Sequence, residues 1–167
     1  MAELTPKERL VPSLLDRLTD NNPDQKSEER SARAESVLSL RSAVLRDLEW
    51  LLNTGNIEGV VNLDDYPELV SSVLNYGMPN LSGKTVSTID QNIVEAHIRE
   101  TIRVFEPRIL PNTVRVTALS GVGESHSNSV VYQIEATLWG RPMPEALFLR
   151  TEIDLELGSV VLKESRS

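Results

Sequence analysis

The sequence predicts an α+β fold, with N-terminal helices packed against a small antiparallel-rich C-terminal β-sheet. Two patterns carry that prediction. Apolar residues recur at three- and four-residue spacing over 36–53 and again over 88–105, the period of an amphipathic helix. From residue 114 onward the pattern becomes alternation, the period of a strand with one packed and one wet face. Helices first and antiparallel strands after is the α+β order. Hydrophobic residues make up 40% of the 167, enough for a core, and aromatics only 4%, so that core must be mostly Leu, Val and Ile.

The elements follow in order. Residues 1–35 form a polar extension punctuated by Pro6, Pro12 and Pro23. Inside it lies an apolar island with Leu14, Leu15 and Leu18, about two helical turns and too short to stand alone in water. It reads either as a frayed tail or as a peptide that docks on a partner or on its own domain. A domain spans 36–162, and 163–167 form a tail. Its first helix, 36–53, carries a stripe of Val37, Leu38, Arg41, Val44, Leu45, Leu48, Leu51 and Leu52. Gly55 is placed to end it in the left-handed conformation. Tyr66-Pro67 opens a short helical segment reaching residue 75, and Gly77, Pro79 and Gly83 mark the loop after it.

The next helix, 88–105, has Ser87 and Asp90 in capping-box spacing. Its stripe is Ile89, Ile93, Val94, His97, Ile98, Thr101, Ile102 and Phe105. Glu106-Pro107-Arg108 stops it, because residues before proline avoid helical dihedrals. Strands are expected at 114–118, 130–138 and 147–157, with turn regions at 120–129 and 141–144. The last of these strands sets Leu147, Leu149, Thr151, Ile153, Leu155 and Leu157 on one face and Phe148, Arg150, Glu152, Asp154 and Glu156 on the other. Gly158-Ser159 turns the chain into 160–162.

Charge and composition exclude several functions. A net charge of -8 repels phosphate backbones, so no nucleic-acid partner is expected. Without cysteine there are no disulfides and no thiolate chemistry. The first residues hold no secretory signal and no apolar run is long enough to span a bilayer, so a cytoplasmic location and no membrane insertion are expected.

His97 on a helix stripe reads as a core or interface residue, and His126 as a loop residue. No phosphate-cradling or nucleophile-elbow motif is present; Gly121-Val122-Gly123 reads as a hairpin turn. Glu152, Asp154 and Glu156 stand about 7 Å apart along one strand face. That distance would serve a glycosidase, but an open polar face neither raises a pKa nor excludes water. No catalytic residue, metal ligand, cofactor or small-molecule substrate is expected, and the chain is read as a non-enzyme.

One motif stands apart. Glu106-Pro107-Arg108 projects an acid and a guanidinium from a rigid corner where a helix hands over to the sheet. It suits contact with a partner's charges or backbone, and equally a local cap and salt bridge closing the helix end.

Several segments in series resemble the TssE family, the small baseplate subunits of bacterial type VI secretion, within the lysozyme-like baseplate wedge proteins of contractile-tail phages. They are 12–18, 40–53, 73–77 with Ser82-Gly83, 106–110, 138–145 and 150–156, with the loop 120–128 unmatched. The resemblance implies a structural part lying beside TssF and TssG and beneath the sheath proteins TssB and TssC, with TssK a further partner. That assembly is attached to an inner membrane complex. It also implies that Glu106, Pro107 and Arg108 contact the wedge core, and that the sheet starts sheath assembly by imitating a sheath subunit. Arg150, Glu152 and Asp154 would then lie near the sheath contact, and Leu14, Leu15 and Leu18 would serve as the docking peptide. The competing readings are a peptidoglycan hydrolase and a regulatory protein-binding module.

Overall fold

The computed structural model describes residues 13–19, 24, 37–83, 85, 89–119, 129–139 and 144–165. Among the described residues three α-helices precede four strands: α1 (Leu14–Leu18), α2 (Val37–Asn53), α3 (Gln91–Phe105), then β1 (Arg115–Ala118), β2 (Ser129–Leu138), β3 (Glu145–Asp154) and β4 (Val160–Glu164). The strands form an antiparallel sheet in the order β1-β2-β3-β4. This is an α+β fold. Residues 120–128 and 141–143 of the expected turn regions, and Ser87 of the expected capping box, lie outside the described residues.

One face of the sheet builds the core. The register sets Val116 opposite Ile134, Ile134 opposite Leu149, and Ile153 opposite both Val130 and Val160, so that the alternate residues of four strands meet on one side. The helices cover that face, α2 beside β4 and α3 beside β1. Val44, Leu48 and Leu51 of α2 and Ile98 and Ile102 of α3 are buried against it. The aliphatic core expected from composition is the one found, with Tyr132 its largest buried side chain.

Four expectations need correction. Leu38 and Ile93, assigned to the helix stripes, are exposed, while Leu40 takes the buried place on α2. Each lies at the margin of an apolar arc, where the neighbours of the folded chain decide which side is covered. Gly55 does not end α2 in a left-handed conformation. Asn53 Nδ2 and Thr54 Oγ1 instead donate to the carbonyls of Glu49 and Trp50, and Gly55 bridges Met78. Positive φ falls instead on Gly77, Gly83 and Gly158; at Gly77 it is 117°, and a Cβ there would sit 2.2 Å from the Thr54 carbonyl oxygen. The segment opened by Pro67 is two 3₁₀ turns, Pro67–Leu69 and Val73–Asn75, not one helix. Finally β3 ends at Asp154, and Leu157 is exposed in the turn that follows. The Asp154 carboxylate accepts from the amides of Glu156 and Leu157, which closes that turn and breaks the strand pattern.

Candidate functional site

Helix α3 ends at Glu106, whose amide still donates to Ile102 O. Pro107 then turns the chain. Trp139 N donates to Arg108 O and Leu110 N to Thr137 O, which fastens residues 108–110 to the end of β2. The corner is therefore rigid on both sides, held by a helix end and a strand end.

Its side chains continue that rigidity. Glu106 is 4% exposed. Its Oε1 accepts from Arg108 N at 3.1 Å and Arg108 Nε at 2.7 Å, and its Oε2 accepts from Arg108 Nη2 at 2.5 Å. Arg108 Nη2 also donates to Asp47 Oδ2 of α2 at 2.7 Å. Asp47 Oδ1 in turn accepts from Arg46 Nε at 2.9 Å, and Arg46 Nη1 donates to Asp16 Oδ1 of α1 at 2.7 Å. Glu106, Arg108, Asp47, Arg46 and Asp16 thus form one chain of alternating sign linking α3, α2 and α1.

Burial opposes the Arg108 charge, but the hydrogen bonds and negative charge of Glu106 and Asp47 outweigh it and hold its pKa above the ordinary value. Arg108 Nη1 is buried with no hydrogen-bond partner among the described residues. The cap and salt bridge that residue chemistry suggested are therefore formed, and they reach further than the motif itself because Asp47 joins them.

A groove of about 440 Å³ opens beside this corner. Leu51, Tyr76 and Phe105 line it together with Pro107, and the Tyr76 and Phe105 rings meet edge to face at 5.4 Å. Trp50 stands on its rim, 52% exposed, with the Arg46 guanidinium 5.2 Å from its ring centroid. A rigid corner, an apolar floor and an exposed tryptophan suit protein contact.

Helix α1 is held at the rim by Asp16, while Leu14, Leu15 and Leu18 remain exposed. Of these three leucines, Leu15 lines the groove. The sequence reading missed Asp47, Trp50, Tyr76 and Phe105 as parts of one site. A signal existed for Asp47: with Leu40, Val44 and Leu51 it falls at four-, three- and four-residue spacing, and a charge in that series needs a partner.

The two sheet edges differ. On β1, Ala118 N donates to the Glu95 carboxylate of α3 at 2.6 Å, so a side chain occupies part of that edge. On β4, Ser165 N donates to Phe148 O, which points the main-chain groups of Leu162 and Glu164 away from β3. Val160 points the same way, and Asn53 engages both its groups at 2.9 and 2.8 Å, standing in for a neighbouring strand.

Arg150, Glu152 and Asp154 lie on the outer face of β3, away from the groove. Strand β3 is paired on both sides, so the edge is β4 and not the long strand that carries these residues. Among the described residues there is no cluster of acidic or histidine side chains able to hold a metal, and no helix long and apolar enough to cross a membrane.

Neither a curated protein nor a solved structure matches the chain. The family model for baseplate wedge protein gp25 matches residues 38–143. That stretch is more than half of the chain and contains α2 from Leu38 onward, the corner, β1 and β2. The TssE-type subunits of the resemblance are the type VI secretion homologues of that family. Together, the series of matching segments and the family model show that the chain belongs to the baseplate wedge protein gp25 family, whose members are structural proteins.

Proposed function

We propose that this chain is a structural subunit of a type VI secretion baseplate, which binds the wedge at the Glu106–Arg108 corner and helps start the contractile sheath. Family membership over the stretch containing that corner carries the reading. The groove beside the corner supports it. Pro107 and Trp50 offer exposed apolar surface on a scaffold that the charge chain keeps fixed, so binding costs little ordering. The wedge partners in this reading are TssF and TssG, with TssK further out. The outward main-chain groups of Leu162 and Glu164 fit addition of a strand from the sheath proteins TssB and TssC. The work is done in the cytoplasm, on an assembly attached to the inner membrane complex. No bond is made or broken, and the protein acts as a part and not as an enzyme.

The test is co-purification with TssF and TssG from cells expressing all three. Arg108→Ala is a poor probe by itself, because removing the partner of buried Glu106 weakens the fold. Trp50→Ala is the sharper variant, since an exposed side chain is lost and the core is untouched. Retention by the wild type and loss by a folded Trp50→Ala protein is the expected result. A wild type that fails to co-purify overturns the reading.

A further inference from the structure

Among the described residues between α2 and α3 the chain makes three 3₁₀ turns, Ile57–Gly59, Pro67–Leu69 and Val73–Asn75. A single buried amide ties them together. Asn75 Oδ1 accepts from Glu58 N at 3.2 Å and its Nδ2 donates to Val70 O at 3.1 Å. Val60 N and Val61 N both donate to Ile57 O at 2.9 Å, and Leu63 is buried as an inward anchor. The segment therefore has a fixed shape. Even so, it turns most of its apolar residues outward: Val60 is 88% exposed, Val73 80% and Leu74 67%, with Tyr66 and Val70 exposed as well. An open cleft of about 620 Å³ brings Val60, Val61, Pro67 and Val70 together with Glu58 and Asp64. Apolar surface gathered on an ordered segment marks a contact site.

Charge says what covers it. Glu58, Asp64, Asp65 and Glu68 are interleaved with the apolar residues, and no lysine or arginine occurs between Arg46 and Lys84. An anionic lipid surface or a nucleic acid would be repelled. A second copy, packed about a two-fold axis, would bring the same four carboxylates against themselves. The complementary object has an apolar stripe flanked by cations, which is the pattern of a basic amphipathic helix lying in a groove. We infer that residues 57–74 form a docking face for a basic amphipathic helix of a partner protein. This face is separate from the Glu106–Arg108 groove, with which its cleft shares no lining residue, and it does not depend on the baseplate reading.

The experiment titrates a synthetic Leu/Lys amphipathic helix, and a Leu/Glu helix with the same apolar stripe, into the isotope-labelled full chain and follows amide shifts. The Leu/Lys peptide should bind with shifts confined to residues 57–76, weaken with added salt, and outcompete the Leu/Glu peptide. Val60→Ser with Val73→Ser should lower affinity about tenfold. Glu58→Gln with Asp64→Asn should lower it about threefold. All four side chains, two valines and two carboxylates, are exposed and outside the core, and circular dichroism checks that each variant folds.

Equal binding of both peptides overturns the inference, as do shifts spread over the acidic surface that the valine substitutions leave unchanged. Two further arms name other occupants. Flotation with phosphatidylcholine/phosphatidylglycerol vesicles that depends on Val60 and Val73 would assign the face to a membrane. Sedimentation showing self-association lost in the valine variant would assign it to a second copy. Either result replaces the proposed occupant.

Discussion

The two ends of the charge chain use the same chemistry at different depths. At the inner end Glu106 is buried and takes both hydrogen bonds of a forked guanidinium, on backbone fixed by α3 and β2. At the outer end Asp16 is only partly covered, and it belongs to a helix of five residues whose three leucines stay exposed. A charge removed from water is strongly destabilising once its partner is lost, because nothing else compensates it. A pair near the surface loses little, because water replaces the partner. The corner is thus part of the fold, and α1 is an attachment to it. The same inward commitment leaves Pro107 and the rim of the groove to face other molecules.

Substitutions along the chain test that contrast. Arg108→Ala should have the largest effect, lowering stability by roughly 3 kcal/mol, read as a shift in the urea midpoint. A loss below about 1 kcal/mol would place the corner with the surface pairs. Asp16→Ala should cost only about 0.5 kcal/mol, and its effect should be local. Hydrogen exchange should quicken in α1 while α2 and α3 keep their protection; loss of protection throughout α2 would mean that α1 supports the fold.

Acid should separate the two ends as well. The hydrogen bond from Arg46, then that from Ser13, lowers the Asp16 pKa from its ordinary 3.8, with burial opposing. A lowered folded value means that the attachment is fully present above 3.8 and lost as pH falls through the folded value. Spectral changes in α1 should appear in that acid window and be absent in Asp16→Asn. The smallest effect belongs to Tyr76. Burial, followed by the negative charges of Asp47 and Glu106, raises its pKa above the ordinary 10.0. Its phenol should titrate above that value, and Asp47→Asn should bring it part of the way back; no change would remove Asp47 from the surroundings of the ring.

The contrast also explains which features were legible beforehand. Helices and strands were, because periodicity is a local record of which side meets the core. Val44, Leu48, Ile98 and Ile102 are buried as their spacing requires. Leu38 and Ile93 were misplaced because an apolar arc has margins, and only the opposing sheet decides where they fall. The motif at 106–108 was legible as a corner. Its third partner was not, since Asp47 lies 61 residues away in sequence. Tyr76 and Phe105 likewise meet only when the 3₁₀ segment folds back over the end of α3.

Composition, periodicity and the proline at the end of the second long helix determined an aliphatic α+β domain with a rigid corner and an acidic surface, because each is fixed by residues close together in the chain. Tertiary structure decided which edge of the sheet is open and which residues hold the corner. It also decided that the short turns between the helices expose their valines. Those outcomes depend on groups brought together from distant parts of the chain: Asn53 against Val160, Glu95 against Ala118, and Asp47 against Arg108. Local propensity carries no information about such meetings, and they are made only when the helices settle on the sheet.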